Sequence, residues 1–261
     1  MGKFINIPLP LVNAAAALPP KVAITNSSTT TAAAAGKLTD TGGTTNFSAV
    51  VSVGDIVFPT GSNPSTFSIV TAVDSDSVLS ISGTGTTLLE ANNQAYEIFT
   101  SASAHSVKYS AQPNVRVGDV VINSTVGLVG KVTQVTSDEQ VLTDSILFND
   151  NATDTVIIIS QNGKGNTLVS LNNIAKITPT AGGAGTTPVV INYKTKTAGN
   201  DVLSISIDEA QAAYSWQLAF EKEMVKILES PWCDVVGTMP LIESPSGSTV
   251  PLLYSTGVVL A

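Results

Sequence analysis

Two stretches decide how this chain folds: Val53-Gly-Asp-Ile-Val-Phe58 and Val117-Gly-Asp-Val-Val-Ile122. Each leads into a second β-branched run, Ile69-Val-Thr-Ala-Val-Asp-Ser-Asp76 in the first case and Lys131-Val-Thr-Gln-Val-Thr-Ser-Asp138 in the second. Val78-Leu-Ser-Ile-Ser82 follows the first and Val141-Leu-Thr143 the second, and the segments close on Tyr96-Glu-Ile-Phe99 and Val156-Ile-Ile-Ile159. They are diverged copies of one unit at a period of about 63 residues. Runs of four to six β-branched residues punctuated by Gly, Asp, Asn and Ser are the pattern of strands and turns, and no window inside the copies holds a helical period. Gly54-Asp55 and Gly118-Asp119 stand where a tight turn delivers the chain into a strand. The acidic clusters at 74–76 and 137–139 stand where a hairpin reverses. Each copy is expected to form a small antiparallel barrel or sandwich.

Working outward, Phe4 to Ile7 is a short strand followed by a Pro- and Ala-rich segment and a Thr/Ala tract from Thr29 to Ala35, read as an extended arm laid over a neighbour or a mobile linker. After the second copy, Leu168–Leu171 and Ile174–Ile177 are short strands, and Val189–Lys194 with Val202–Ile207 forms a hairpin. One convincing helix follows. Asp208 is a suitable N-cap with Gln211 three residues on, Trp216, Phe220, Met224, Ile227 and Leu228 form an apolar stripe, and Pro231 ends it. Val235-Val236, Leu241-Ile242, Leu252-Leu253 and Val258-Val259 supply closing strands. The expected organisation is an arm over residues 1–44, β modules over 45–102 and 103–163, and an α+β domain over 164–261. The fold class is mainly β, with the modules inserted into or attached to a small one-helix domain.

Composition narrows the function. Charged residues are 12% of the chain, about half the usual globular share of about 25%. Twelve basic against 20 acidic residues give a net charge of −8, the wrong sign for displacing counterions from nucleic acid. Hydrophobic residues at 43% are enough for a core and too many for a disordered chain. Neither a signal peptide nor an apolar run of the roughly 20 residues needed to span a membrane is evident. The single cysteine, Cys233, excludes an intrachain disulfide, and with only one histidine most metal sites built by protein ligands fall away. The Asn-x-Ser/Thr sequons at Asn26, Asn46, Asn123 and Asn151 are read as coincidences of a Ser/Thr-rich sequence.

No residue stands out as catalytic. His105 is the one available imidazole base and is read as a solvated histidine in the linker between the copies. Asn162-Gly-Lys-Gly165 lacks the earlier glycine of a phosphate loop, Ile158 standing there instead. Gly83-Thr-Gly85 and Gly182–Gly185 lack the strand-turn-helix setting of a dinucleotide site. Asp74 with Asp76, or Asp150 with Asp154, could in principle hold calcium, but turn chemistry accounts for all four. Glu221 and Glu223 alternate with Lys222 and Lys226 as on a solvated helix face. The expectation is therefore no enzyme, no catalytic, cofactor-binding or metal residue, and no cofactor.

Lys3-Phe-Ile-Asn-Ile-Pro8, Asn166-Thr-Leu-Val-Ser-Leu-Asn-Asn-Ile174, the strand pair at 189–207 and Phe220-Glu-Lys-Glu-Met-Val-Lys-Ile-Leu-Glu-Ser-Pro-Trp232 together resemble small structural proteins of tailed bacteriophages. There these pieces run almost consecutively, so residues from about 12 to 163 look inserted after the first strand. The copies themselves are similar to β modules of other phage particle proteins. The resemblance carries over no functional residue. It implies a virion component, assembled in the host cytoplasm: a capsid decoration or cement protein that stabilises the head through contacts with the major capsid protein or other virion proteins. A homo-oligomer is expected, with neither nucleic acid nor membrane as partner. A neck, tail or baseplate adaptor is the alternative, and a glycan-binding adhesin a further one, though two tryptophans and five tyrosines offer few platforms for sugars.

Overall fold

The structure, a computed structural model, describes residues 2–15, 34–40, 46–90, 94–148, 154–160, 167–179, 187–194, 202–207, 213–230, 235–243, 252–253 and 255–260. It is mainly β, with twenty strands and four helices among the described residues. Two compact units divide the chain: Met1–Asn13 with Ile157–Ala261, and Ala14–Val156.

The chain opens with β1 (Lys3–Ile7) and β2 (Pro10–Ala15), so part of the segment read as an arm is a strand. The second unit then runs through β3 (Lys37–Thr39), α1 (Phe47–Val50), β4 (Ile56–Pro59), β5 (Ser68–Ser75), β6 (Val78–Gly83), α2 (Thr86–Leu89) and β7 (Tyr96–Phe99). It continues with α3 (Ser101–Ala104), β8 (Ser106–Lys108), β9 (Val120–Asn123), β10 (Leu128–Ser137) and β11 (Gln140–Thr143), and ends within β12 (Thr155–Ile159), whose last three residues belong to the first unit. The first copy forms a sheet in the order β3-β6-β5-β4-β7, and the second forms β8-β11-β10-β9-β12, the same order, extended at its end by β2. The three helices of this unit are one turn each and have no counterpart in the sequence pattern, because four residues are too few to show a 3.6-residue period.

The copies match bond for bond at the Gly-Asp turn. In the first, Asp55 N donates to the Ser52 carbonyl at 3.1 Å, Ser52 N to Asp55 Oδ2 at 2.9 Å, Gly54 N to Val70 O at 2.8 Å, and Val70 N to Asp55 O at 2.9 Å. In the second, Asp119 N donates to Arg116 O at 3.1 Å, Arg116 N to Asp119 Oδ2 at 2.8 Å, Gly118 N to Val132 O at 2.8 Å, and Val132 N to Asp119 O at 2.9 Å. Gly54 and Gly118 sit at φ +95° and +91°, the left-handed third position of a four-residue turn that a side chain resists. The residue before each, Val53 and Val117, is 67% and 59% exposed, while both aspartates are buried. Register shifts recur at matching places, between Val70/Ala72 and Val73/Ser75 in one copy and between Val132/Gln134 and Val135/Ser137 in the other.

This geometry corrects one alignment. Val78 pairs with Ser75 as Gln140 pairs with Ser137, so Val78 corresponds to Gln140 and Leu79 to Val141. The sequence invites matching Val78-Leu to Val141-Leu, one residue off. Burial decides between them: Leu79 and Val141 are both fully buried, and Ile81 and Thr143 are buried one rung on.

The first unit is completed by β13 (Thr167–Ser170), β14 (Ile174–Pro179), β15 (Thr187–Tyr193), β16 (Val202–Ile207), α4 (Ala213–Glu229), β17 (Val235–Thr238), β18 (Ile242–Glu243), β19 (Leu252–Leu253) and β20 (Ser255–Leu260). β1 is the centre of a three-stranded sheet, antiparallel to β13 and parallel to β17, and β14-β15-β16-β20 form an antiparallel meander closed by the last strand. One core joins Ile5, Ile7, Val169, Val189, Ile191 and Ile205 of the sheets to Trp216, Phe220 and Ile227 of α4, with the Trp216 and Phe220 rings stacked at 5.4 Å. Leu228, expected on the buried stripe, is instead 46% exposed on the outer face. Lys3 Nζ donates to the carbonyls of Leu228 (2.7 Å) and Ser230 (2.8 Å), so a cation from the first strand caps the C-terminal end of the helix, where carbonyls lack partners. Asp208, Gln211 and Pro231, expected to bound the helix, lie outside the described residues.

The matched turns give a paired prediction. Asp55→Ala and Asp119→Ala should each lower stability by about 1.5–3 kcal/mol, the worth of a hydrogen bond to a charged acceptor. Gly54→Ala and Gly118→Ala should each cost roughly 1–3 kcal/mol of backbone strain. Urea unfolding of the full chain, followed by exchange protection of β5 and β10 amides, measures both, and the members of each pair should agree.

Candidate functional site

A cleft of about 460 Å³ opens within the second unit, between the first copy and the segment leaving β11. Its apolar lining is Ile56 of β4, Ile69 of β5, Phe67 just before β5, and Ile146 beyond β11. Phe67 and Ile146 pack onto a small cluster of Ile56, Phe58, Phe99 and Ala104, with Phe58 and Phe67 edge to face at 6.1 Å. The rim carries His105, Asp144 and Ser145, with Ser65 and Ser101 beside them.

Local chemistry fixes this rim. Thr100 caps α3, its Oγ1 accepting from Ser103 N at 3.1 Å. The helix ends after one turn at His105, whose Nδ1–H donates to the Ser101 carbonyl at 2.8 Å. The His105 carbonyl accepts from Thr143 N at 3.0 Å, and Thr143 Oγ1 lies 3.0 Å from the same oxygen and 2.7 Å from Ser145 O. Asp144 Oδ1 accepts from Lys131 N at 2.8 Å and from Ser145 Oγ at 3.3 Å. His105 is half-buried between the copies, with its Nδ1 and its backbone carbonyl both engaged. A backbone carbonyl occupies its Nδ1, the position where a hydrolytic triad places a carboxylate.

The other candidates are spent on architecture. Asp74 Oδ2 is 2.9 Å from Lys37 Nζ and accepts from Ser80 Oγ at 2.8 Å; the hydrogen bond from Lys37, then that from Ser80, holds its carboxyl below the usual range. Asp76 accepts from Ser48 Oγ. Asp154 and Asn123 are fully buried together, Asn123 Nδ2 donating to Asp154 Oδ2 at 2.7 Å and to Leu147 O at 2.8 Å. The sequon at Asn123 is thus closed to modification in the folded chain, whereas Asn46 is exposed. Gly83 and Gly85 serve a close approach: a Cβ on Gly83, at φ +143°, would stand 2.6 Å from the Phe67 carbonyl oxygen. The helix after them, α2, is a single turn. Glu223 pairs with Lys226 at 2.7 Å and Glu221 accepts from Gln217 Nε2 at 2.6 Å. Asn26, Asp150, Asn151, Asn162–Gly165, Gly182–Gly185 and Cys233 lie outside the described residues. Among the described residues, no three His, Cys, Asp or Glu side chains gather as a metal would require, and no helix is long and apolar enough to cross a membrane.

Sequence reasoning missed Phe67, Asp144, Ser145 and Ile146 as a group. They are separated by nearly eighty positions and become neighbours only through the stacking of one copy's exit loop on the other's sheet. Comparison with protein-family models, curated protein sequences and solved structures finds no match for this chain.

Three tyrosines are held protonated by their surroundings. Tyr96 donates to buried Asp40 Oδ2 at 2.5 Å, and burial followed by that carboxylate pushes its phenol far above the ordinary value. Burial first, then Asp138 and Asp119, pushes Tyr109 up to about 12, and burial raises Tyr193. Because the folded state binds these protons more tightly than the unfolded chain, whose tyrosines titrate near about 10, this stability is complete below pH about 10, and the share from Tyr109 is lost as pH rises through about 12. Absorbance titration should show fewer tyrosinates in the folded than in the urea-unfolded chain across that window. Tyr96→Phe should cost about 1–3 kcal/mol. Tyr109 Oη is buried without a hydrogen-bond partner, so Tyr109→Phe should be neutral or stabilising.

Proposed function

We propose that this chain is a structural component of a tailed-bacteriophage virion, a capsid decoration or cement protein. Its two β copies form tandem small barrel or sandwich modules inserted into a small α+β domain. The observation that carries this reading is apolar surface on regular elements of the first unit. In the three-stranded sheet, β1 residues Phe4 and Asn6 align with Val236 of β17 and Leu168 of β13, so these four share one face, and Leu168 and Val236 are 58% and 59% exposed. On α4, Leu218, Val225 and Leu228 are exposed on the side away from Trp216, Phe220 and Ile227. Apolar area on two regular elements suits contact with shell subunits or sister copies. The resemblance of the first strand, the 166–174 segment and the helix to phage structural proteins supports the same reading, as does a net charge of −8, which disfavours packaged DNA.

Quantitative mass spectrometry of purified particles of the encoding phage tests it. A copy number comparable to the major shell protein is expected. On the order of ten copies, the stoichiometry of a ring, would place the chain in the neck or tail, and absence from the particle would refute a virion role. Leu168→Ser with Val236→Ser should weaken rebinding to stripped particles at least about tenfold, a loss on the order of 1.4 kcal/mol, while leaving the thermal melt nearly unchanged.

A further inference from the structure

We propose that the cleft bounded by Phe67, Ile146, His105 and Asp144 binds a neutral pyranose sugar. Its volume of about 460 Å³ lies within the roughly 300–1,000 Å³ of small-ligand sites. Its lining includes four apolar residues, one of them the aromatic Phe67, the class of side chain that packs on the C–H face of a sugar.

The rim selects for hydrogen-bond donors. With Nδ1 committed to the Ser101 carbonyl, His105 has Nε2 left for a ligand, an acceptor whenever the ring carries a single proton. Asp144 directs both of its hydrogen bonds to Oδ1, leaving Oδ2 to accept from a ligand. Ser145 donates its proton to Asp144, so its oxygen too is free to accept. Three acceptors beside an apolar lining match a ring carrying several hydroxyl donors. The carboxylate disfavours an anionic ligand, so acidic sugars are excluded while neutral hexosides are accepted. The site does not depend on the virion role, and each proposal can fail without the other.

His105 is the sole histidine, so its imidazole proton resonance reports on the cleft alone. Full-length protein is titrated with the methyl glycosides of glucose, mannose and galactose, with N-acetylneuraminic acid and cyclohexanol as comparators. At least one hexoside should shift the His105 signal saturably with a Kd in the millimolar range. Asp144→Asn with Ser145→Ala, which keeps an oxygen for Lys131 N, should weaken that binding at least about tenfold, a loss of about 1.4 kcal/mol. The proposal is overturned if no hexoside shifts the signal, if cyclohexanol or the acidic sugar shifts it equally, or if the double variant, with wild-type amide dispersion, binds as well. The comparison of ligands on the unmodified protein decides the matter even if the variant misfolds.

Discussion

The second unit depends on one interaction used twice: a buried aspartate whose carboxylate accepts the amide three residues earlier, closing a turn whose third residue is a glycine at positive φ. Its effect reaches beyond the turn. The glycine amide and the aspartate carbonyl form the last rung with Val70 in one copy and Val132 in the other, so the turn sets the register of the hairpin it introduces. A slip of one residue would carry Val57 and Val121 from the core to the opposite face. Each buried carboxylate is satisfied in part by a local backbone donor, Asp55 by Ser52 N and Asp119 by Arg116 N.

Much of this was legible in the sequence, because a turn needing a glycine and an acceptor leaves a fixed signature, and β-branched runs on either side give the strand pattern. The three single-turn helices were not legible, being shorter than the period that would reveal them. Nor was the true correspondence of Val78 with Gln140. The copies differ by two residues in the connection after the first strand, Val57 pairing with Ser68 and Val121 with Gly130. Similar letters then pull the alignment off by one, and only burial restores it. The helix was legible from its stripe, but Leu228 was assigned to the wrong face. Near the end of a helix, proximity in sequence to Ile227 does not ensure a place in the core, and the last turn here is held by Lys3.

The acidic residues that a reader seeking chemistry would choose are nearly all accounted for by structure. Asp55 and Asp119 close turns, Asp74 pairs with Lys37, and Asp154 is bonded to Asn123. Asp144 is the exception, for it stands on the rim of a cleft with half its carboxylate uncommitted. That cleft was invisible in the sequence because its lining is drawn from both copies, Ile56, Phe67 and Ile69 from the first and Asp144, Ser145 and Ile146 from the second. Duplication thus did more than lengthen the protein: it created a joint whose lining neither copy contains alone. The first unit uses different physics, drawing its strand from one end of the chain and its helix from the other, and turning apolar residues outward on both.

Native-state hydrogen exchange at the six amides of the paired turns tests the central claim most directly. Ser52, Gly54 and Val70 should be as protected as Arg116, Gly118 and Val132, position by position, and far more so than the exposed residues Val53 and Val117. Fast exchange at Ser52 and Arg116, or strong protection in one copy and none in the other, would contradict the account: the aspartates would not be closing the turns, or the copies would not share one fold.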